Sequence, residues 1–239
     1  PVLSGGRLPA VGSGGLQVGT GVQAVAIASD PSQGALVPAA GPLQLAIEGE
    51  GYFVLEDARG QRLYTRDGTF HVNADGELVT PAGQRVLGWQ SERGVFQAEL
   101  VPLFILSGTH RDRNLAGQMQ SLTMRLQVGT NGRLELRLPD GTVHVICELR
   151  IARFANQSGL RAVGQNAFAV TAASGPPWIG PPGRDGRGTI RASATELSNV
   201  DVGTNLITMS RATLLFRANL EVLDVADQLA RDLLELRRS

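Results

Sequence analysis

Few residues in this sequence have the spacing that chemistry requires, and each candidate set is incomplete. His144 and Cys147 stand three positions apart, a spacing that could form half of a metal site. On a regular strand an odd spacing places two side chains on opposite faces, and no second pair of ligands accompanies these two. Residues 71–82 are similar to part of a calcium-binding loop but lack the acidic ligand at either end. We therefore predict a hairpin turn there, and no bound metal or cofactor.

The sequence also lacks the residues of several catalytic systems. All 22 basic residues are arginines, so a phosphate-binding lysine or a Schiff-base lysine is impossible. Val11 stands where a nucleophile elbow around Ser13 would require glycine. The single cysteine excludes a disulfide within the chain, and a formal net charge of zero gives no field that attracts nucleic acid. We predict that the protein is not an enzyme and binds neither nucleic acid nor a small-molecule substrate.

The C-terminal region has the apolar spacing of one long amphipathic helix. Two stripes follow a 4-3-4-3 spacing, the second lying one step round the helix from the first. The first contains Val202, Leu206, Met209, Thr213, Phe216, Leu220 and Leu223, and the second contains Val222, Ala226, Leu229, Leu233 and Leu236. A seam of this length favours a coiled coil or a helix bundle over a helix lying on a sheet. Asp201 or Ser198 can cap the first turn.

The predicted helix needs a partner that this chain does not obviously supply. We therefore predict that its apolar stripes form an interface between subunits. The predicted interface residues are Val202, Leu206, Met209, Phe216, Leu220, Leu223, Leu229, Leu233 and Leu236.

The rest of the sequence predicts short strands joined by tight turns. Residues 1–42 are rich in Gly, Ala and Pro, which is typical of an extended linker that contributes one or two short strands. Residues 43–192 predict an antiparallel β domain, beginning with a half-buried strand in which Leu43, Leu45 and Ile47 alternate with Gln44, Ala46 and Glu48. Residues 193–239 predict the helical segment. The fold class is mainly β, with antiparallel hairpins in a small domain and one long C-terminal α-helix.

Glycine-containing turns divide the predicted β domain. Six of them end at Gly60, Gly68, Gly76, Gly83, Gly132 and Gly141. Four of these glycines follow Asn or Asp, as in tight hairpin turns. The sequences around Gly76 and Gly132 are alike, which predicts two hairpins of the same build. Residues 174–188 repeat Pro and Gly and predict an exposed, extended loop.

Three blocks of sequence, taken in order, resemble a known family. The first is QVGTGV at residues 17–22, and the second spans residues 42–53 and continues as YTRDGTF at residues 64–70. The third is LSNVD at residues 197–201, followed by the predicted helix. In combination the blocks are similar to the axial proteins of the bacterial flagellum, the rod and hook family, and most of all to its distal rod members. The resemblance covers residues 16–239.

The resemblance implies a structural subunit of the flagellar basal-body rod. Such subunits polymerise through their terminal helices into a hollow drive shaft for swimming motility. The implied partners are further copies of the chain, other flagellar rod and hook proteins, and the flagellar export apparatus. The implied location is the periplasmic rod, reached without a cleaved signal peptide. Residues 1–15 do not match the Asn-rich N-terminal helix of this family, so we expect either that further residues precede Pro1 or that this chain diverges from the family there.

Two alternatives remain open from the sequence. The first is a different axial protein of the same family, either the hook protein or another rod protein. The second belongs to another class, a β-domain carbohydrate-binding or enzyme module with a helical oligomerisation tail. A groove lined by an exposed Trp89 or Trp178 would favour the second alternative.

Overall fold

The computed structural model describes residues 31–92, 95–96, 99–105, 126–137 and 143–236. The chain divides into two compact units, which join in sequence at Leu197 and Ser198. Within the described residues the first unit is built of β-strands, and the second contains a single α-helix. The predicted fold class is therefore confirmed. The bounds predicted for the linker, the β domain and the helical segment stay a prediction.

The strands of the first unit are short and follow one another at close intervals. In chain order they are β1 (Leu36–Pro38), β2 (Leu45–Glu48), β3 (Tyr52–Glu56), β4 (Arg62–Thr65), β5 (His71–Val72), β6 (Leu78–Val79), β7 (Arg85–Glu92), β8 (Val95–Phe96), β9 (Val101–Pro102), β10 (Leu126–Val128), β11 (Arg133–Arg137), β12 (Val143–Leu149), β13 (Ile151–Arg153), β14 (Arg161–Gly164), β15 (Ala167–Ala169), β16 (Trp178–Gly180), β17 (Thr189–Ala192) and β18 (Ala194–Glu196). One turn of 3-10 helix, Gln157–Gly159, lies between β13 and β14.

One large antiparallel sheet forms the body of the first unit. Its neighbouring strands follow the order β10-β11-β12-β7-β3-β4-β15-β14. Strand β13 pairs with both β3 and β16, while β6, β8 and β9 pair with β7. Two separate ribbons, β1–β18 and β2–β17, join strands from opposite ends of the unit. These ribbons bring residues near the start of the described chain beside residues close to the helix.

The central strands bury both faces of the sheet. Along β3, Phe53 and Leu55 contribute to a large core, whereas Tyr52 and Val54 contribute to a smaller one. Successive side chains of a strand point to opposite faces, so a continuous apolar run is what a strand with two buried faces requires. The larger core also contains Leu45, Ile47, Leu78, Leu103, Leu134, Leu149, Ile151 and Ile190. In the smaller core the Tyr64 and Phe154 rings meet edge-on, 4.9 Å between centroids.

One type of turn recurs in four hairpins, at residues 57–60, 73–76, 80–83 and 129–132. In each turn the amide of the fourth residue donates to the carbonyl of the first, over 2.8–3.1 Å. The fourth residue is always glycine, with φ between +76° and +82°, a conformation that is unfavourable for residues with a Cβ. The hairpins around Gly76 and Gly132 therefore share one construction, as the sequence similarity predicts.

Three expectations for the β domain were wrong, each because of tertiary packing. Ala46 is fully buried, so β2 is not a strand with one solvated face. Gly68 follows Asp67 but does not have the positive φ that the predicted hairpin turn would require. Instead, a Cβ there would lie 1.8 Å from the carbonyl oxygen of Leu45. Residues 174–188 are not an exposed loop throughout, since they contain β16 and the buried side chains of Ser174 and Arg187.

Some sequence predictions fall outside the described residues. They concern the QVGTGV block and the rest of residues 1–30, and the turn that ends at Gly141.

The second unit contains helix α1, Val202–Leu236. Asp201 caps it: its Oδ1 accepts from the amides of Gly203 at 2.9 Å and Thr204 at 3.3 Å, and its Oδ2 accepts from the Thr204 hydroxyl at 2.7 Å. Of the two candidate caps, Asp201 is therefore the one that is used, since Ser198 instead accepts from the Val200 amide. Among the described residues no helix has the length and apolar character that a membrane crossing requires.

Candidate assembly surface

The predicted interface residues all lie on α1, and all of them are exposed. Their exposed fractions range from 45% at Leu220 to 74% at Leu236. Every other side chain of α1 that the structure describes is also exposed. A surface helix of a globular domain normally buries an apolar stripe, and contiguous exposed apolar surface marks an interaction site. Helix α1 therefore presents the main candidate surface of the described chain.

The apolar residues of α1 occupy two faces of the helix. Leu220 lies 18 residues after Val202, which is about five turns of 3.6 residues and returns it to the same face. Leu229 lies 27 residues after Val202, or about 7.5 turns, which places it on the opposite side. The two stripes meet at the neighbouring residues Val222 and Leu223, which lie about 100° apart around the helix. Each stripe also drifts around the helix by about 20° per heptad, so the far ends of the two stripes lie further apart than this. The nine predicted residues therefore form two faces rather than one seam.

The second face begins earlier than the sequence interpretation placed it. Ile207 is 56% exposed and lies 18 residues before Val225, so the two share a face that is near that of Leu229. Leu214 and Leu215 are also exposed and flank this face. The signal for these residues was the same helical period, taken from Ile207 instead of Val202. Both faces therefore extend through the N-terminal half of α1.

A polar stripe separates the two faces along one side of α1. Its residues are Ser210, Arg217, Glu221, Asp224 and Gln228, which recur within about 60° of one another at 100° per residue. The stripe provides positions where a new charge would not enter either apolar face.

The geometry of β12 changes the argument about His144 and Cys147. Cys147 pairs with Leu134 and His144 pairs with Leu136, with a register shift between Leu134 and Glu135. Residues directly opposite in an antiparallel pair share a face, so this β-bulge returns the two side chains to one face despite their odd spacing. However, Cys147 is fully buried in the larger core, whereas His144 is exposed. Burial raises the pKa of the Cys147 thiol, which keeps it in the neutral form rather than the metal-binding thiolate.

The calcium-like segment forms the hairpin β5–β6, as predicted. The Asn73 side chain is fully engaged there: its Oδ1 accepts from the amides of Asp75 and Glu77 at 3.0 and 2.9 Å, and its Nδ2 donates to the Glu77 carboxylate at 2.8 Å. These oxygens stabilise the turn. Across the described residues, no group of three or more His, Cys, Asp or Glu side chains is arranged to hold a metal ion.

The two tryptophans have different surroundings in the described chain. The Arg150 guanidinium lies 3.3 Å from the centroid of the Trp89 ring and covers one of its faces. Arg150 is itself buried beside Glu148, at 3.3 Å, so one face of the half-buried Trp89 ring is covered by a buried side chain. Trp178 is 52% exposed on β16, which pairs with β13. The arrangement gives no support to a carbohydrate-binding site that uses Trp89.

An open cavity of about 320 Å³ lies beside the turn at residues 80–83 and the turn at residues 165–166. Asp67 is its acidic lining residue. Burial alone would raise the pKa of Asp67, but hydrogen bonds from Thr69 and Asn166 outweigh burial and hold the pKa below its usual value. The carboxylate is thus an acceptor that stabilises these turns, and it is not poised to transfer protons at neutral pH.

Part of the β domain matches a known family model. Residues 46–136 match the family model described as the flagellar hook protein FlgE/F/G D1 domain. This range begins within β2, ends within β11 and leaves out α1.

Whole-chain comparison finds rod proteins over a longer range. The flagellar basal-body rod protein FlgG of Buchnera aphidicola subsp. Baizongia pistaciae is 32% identical over 220 residues, which cover 92% of this chain and 74% of the relative. That of Agrobacterium fabrum is 33% identical over 220 residues, covering 90% and 72%. The flagellar hook protein FlgE of Helicobacter pylori is 35% identical over 118 residues, which cover 48% of this chain and 16% of the relative. Similarity to the rod proteins therefore extends well beyond the part shared with the hook protein.

Proposed function

The chain belongs to the family of bacterial flagellar rod and hook proteins and is a structural subunit of the basal-body rod; on that premise, we propose that it polymerises with copies of itself through the two apolar faces of α1. It assembles into the flagellar axial structure together with other rod and hook proteins.

The observation that supports the proposal is the exposure of every apolar side chain described on α1. In proteins, a helix owes most of its stability to the packing of its apolar face. Full burial of a side chain such as Phe216 or Leu220 contributes about 1.5–3 kcal/mol of stability relative to its exposure to water. Helices of neighbouring subunits can provide this burial.

Two faces on one helix favour contacts with two neighbours at once. A contact between unlike surfaces repeats from subunit to subunit, and when the rotation does not close it generates a helical filament. A helix that uses one face toward one neighbour and the opposite face toward the next meets this requirement. We infer that the stripe from Val202 to Leu223 and the stripe from Ile207 to Leu236 make different contacts in the rod.

The remaining expectations enter the proposal through the family. We propose that the flagellar export apparatus delivers the subunit to the periplasm, that it is not an enzyme, and that nucleic acid is not a partner. Fractionation of cells that carry a defined lesion in the export apparatus tests the first of these. Accumulation of the subunit in the periplasm of such cells would contradict delivery by that route.

The main experiment places a charge on each part of α1 in the full chain. Phe216→Asp and Leu220→Asp introduce a carboxylate into the first apolar face, and Ser210→Asp introduces the same charge on the polar stripe. We expect loss of swimming and of assembled rods in the first two variants, and swimming close to that of the parent in the third. Electron microscopy of isolated basal bodies and motility in soft agar measure the two effects.

A folding control accompanies each variant. Protection of the buried thiol of Cys147 from a maleimide reagent shows that the β domain is intact. Normal swimming of both face variants would overturn the assembly role of α1. Loss of swimming in all three variants with protected Cys147 would show that α1 is required but that its apolar faces are not the determinant.

A further inference from the structure

Arg66 makes an unusually complete set of contacts at one edge of the β domain. Its Nε donates to the Glu196 carboxylate at 3.0 Å. Its Nη1 and Nη2 donate to the carbonyls of Gly51 at 3.3 Å and Gly49 at 3.1 Å. The guanidinium carbon lies 5.9 Å from the centroid of the Tyr52 ring. The Arg66 side chain is 16% exposed, so solvent screens these contacts only weakly.

Glu196 connects this arginine to the ribbon β1–β18. The carboxylate oxygen that does not meet Arg66 accepts from the Gly34 amide at 3.0 Å. Glu196 also pairs with Leu36 in the ribbon itself. One carboxylate therefore ties together the segment before β1, the end of β18 and the body of the β domain.

A second side chain attaches the same segment to the same turn. Gln33 donates from Nε2 to the Ile47 carbonyl at 2.9 Å and accepts at Oε1 from the Gly49 amide at 3.0 Å. Its primary amide thus forms the pair of hydrogen bonds that a neighbouring strand would form. Gln33 and Arg66 together hold the ribbon against residues 47–51.

The backbone of residues 49–51 is shaped to meet Arg66. Gly51 has a φ of +144°, and a Cβ there would lie 2.2 Å from the Ile151 Cγ2 atom. Only glycine can therefore place the Gly51 carbonyl within reach of the guanidinium at this point. The planar fork of arginine matches several acceptors held at fixed positions, which an ammonium group cannot do equally well.

We propose that Arg66 is a positioning residue that locks the β1–β18 ribbon onto the β domain, so that load passing along the chain from α1 reaches the domain through the Arg66–Glu196 pair. Strand β18 ends shortly before α1 begins at Val202, and β1 follows the N-terminal segment. At the far end of the ribbon, the Ala194 amide donates to Gln44 at 3.1 Å. The arginine thus secures the end of the ribbon that is nearer in sequence to the helix. This inference rests on the proposed function only in its mention of load.

Hydrogen–deuterium exchange of the full chain tests the lock directly. The variants are Arg66→Gln and Glu196→Gln, made together with Leu220→Asp so that the chain stays unassembled. Two ribbon amides are the reporters: Leu197, which donates to Ala35, and Ala39, which donates to Ser193. We expect their exchange to accelerate about tenfold or more, the effect of losing charge-assisted hydrogen bonds. The amide of Leu149, bonded to Gly132 at 2.8 Å, is expected to keep its protection.

Arg85→Gln is the matched control, because Arg85 forms an equally short pair with Glu56 at 2.8 Å but joins β7 to β3. It is expected to leave the ribbon reporters unchanged. Arg66→Lys retains the charge without the fork, and its exchange is expected to fall between the parent and Arg66→Gln. This variant also provides the test if Arg66→Gln does not fold.

The outcomes separate this inference from the proposed function. Unchanged exchange at Leu197 and Ala39, or equal acceleration at Leu149, would overturn the lock, whatever the cells do. Normal swimming of the α1 face variants would overturn the assembly role and leave the exchange result standing. In cells, Arg66→Gln is expected to yield assembled rods and to reduce swimming most in viscous medium, whereas Arg85→Gln swims as the parent does.

Discussion

Phe53 and Phe216 show how differently the two units of this chain treat the same side chain. Phe53, in β3, is fully buried and meets Phe70 edge-on at 5.1 Å between ring centroids. Phe216, in α1, is 64% exposed. The first unit satisfies its apolar residues with its own strands, on both faces of the central sheet.

Among the described residues of the second unit, nothing covers the exposed apolar side chains of the helix. The difference teaches that one chain can contain a part that buries its own apolar residues and a part that leaves them exposed. In the first part, substitutions should act on stability. In the second part, they should act on association and leave the fold of the β domain unchanged.

The largest expected contrast between the two units is in chemical accessibility. Burial raises the pKa of the Cys147 thiol and also keeps reagents away from it. Its reaction with a maleimide at pH 8 should be slower than that of a thiol introduced by Ser210→Cys in a Cys147→Ser chain by about a thousandfold or more, as expected when reaction requires unfolding. Mass spectrometry of timed samples measures both rates. Comparable rates would show that the core around Cys147 opens readily.

Truncation of the two phenylalanines compares stability directly. Phe53→Ala should lower the free energy of unfolding of the β domain by about 3–5 kcal/mol, the usual loss for a buried phenylalanine. Phe216→Ala should change it by no more than about 0.5 kcal/mol, as at an exposed site. Urea titration followed by tryptophan fluorescence reports on the β domain, because Trp89 and Trp178 both lie there. Equal losses in the two variants would contradict the division of roles.

Two glutamates allow the same comparison for charge. Glu148 is buried between Arg150 at 3.3 Å and Arg133 at 3.6 Å. Glu148→Gln leaves buried Arg150 without that counter-charge and should lower the free energy of unfolding by about 3 kcal/mol. Glu221→Gln, on the polar stripe of α1, should change it by at most about 0.5 kcal/mol. A loss for Glu148→Gln as small as that of Glu221→Gln would mean that the Trp89 stack alone maintains Arg150.

The smallest expected effect concerns the start of α1. Hydrogen bonds from the Thr204 hydroxyl and from the Thr204 and Gly203 amides hold the pKa of the Asp201 carboxyl below its usual value of 3.8. Since the folded-state pKa is the lower one, the cap stabilises the helix above pH 3.8, and this contribution is lost as the pH falls through the lowered value. Circular dichroism at 222 nm should show a small loss of helix below pH 3.8 that is reduced in Asp201→Asn. Identical pH profiles would show that the charge of the cap has no effect on α1.

Features that depend on neighbours in sequence were predictable. The Asp201 cap, the glycine turns and the helical period each arise from interactions over a few residues. For this reason the hairpins around Gly76 and Gly132 and the helix α1 appear where the sequence indicated them. The predicted interface residues remain a prediction, because only an assembled structure can show what covers them.

Features that depend on distant partners were not predictable. The bulge opposite Leu134 and Glu135 places His144 and Cys147 on one face instead of the two opposite faces expected. The local sequence of β12 gives no signal for this bulge. The pairing of Leu36 with Glu196 also cannot be predicted from the spacing of apolar residues, because the two strands are too short to show a clear alternation. Arg66 directly follows β4 in the stretch YTRDGTF, and its hydrogen bond to Glu196 forms only once β18 lies beside β1.

The ribbon β1–β18 brings the two ends of the β domain together. Since Leu36 lies opposite Glu196, the chain enters and leaves the domain at one place. A domain with adjacent ends can be enlarged, trimmed or exchanged without changing the spacing of the segments that flank it.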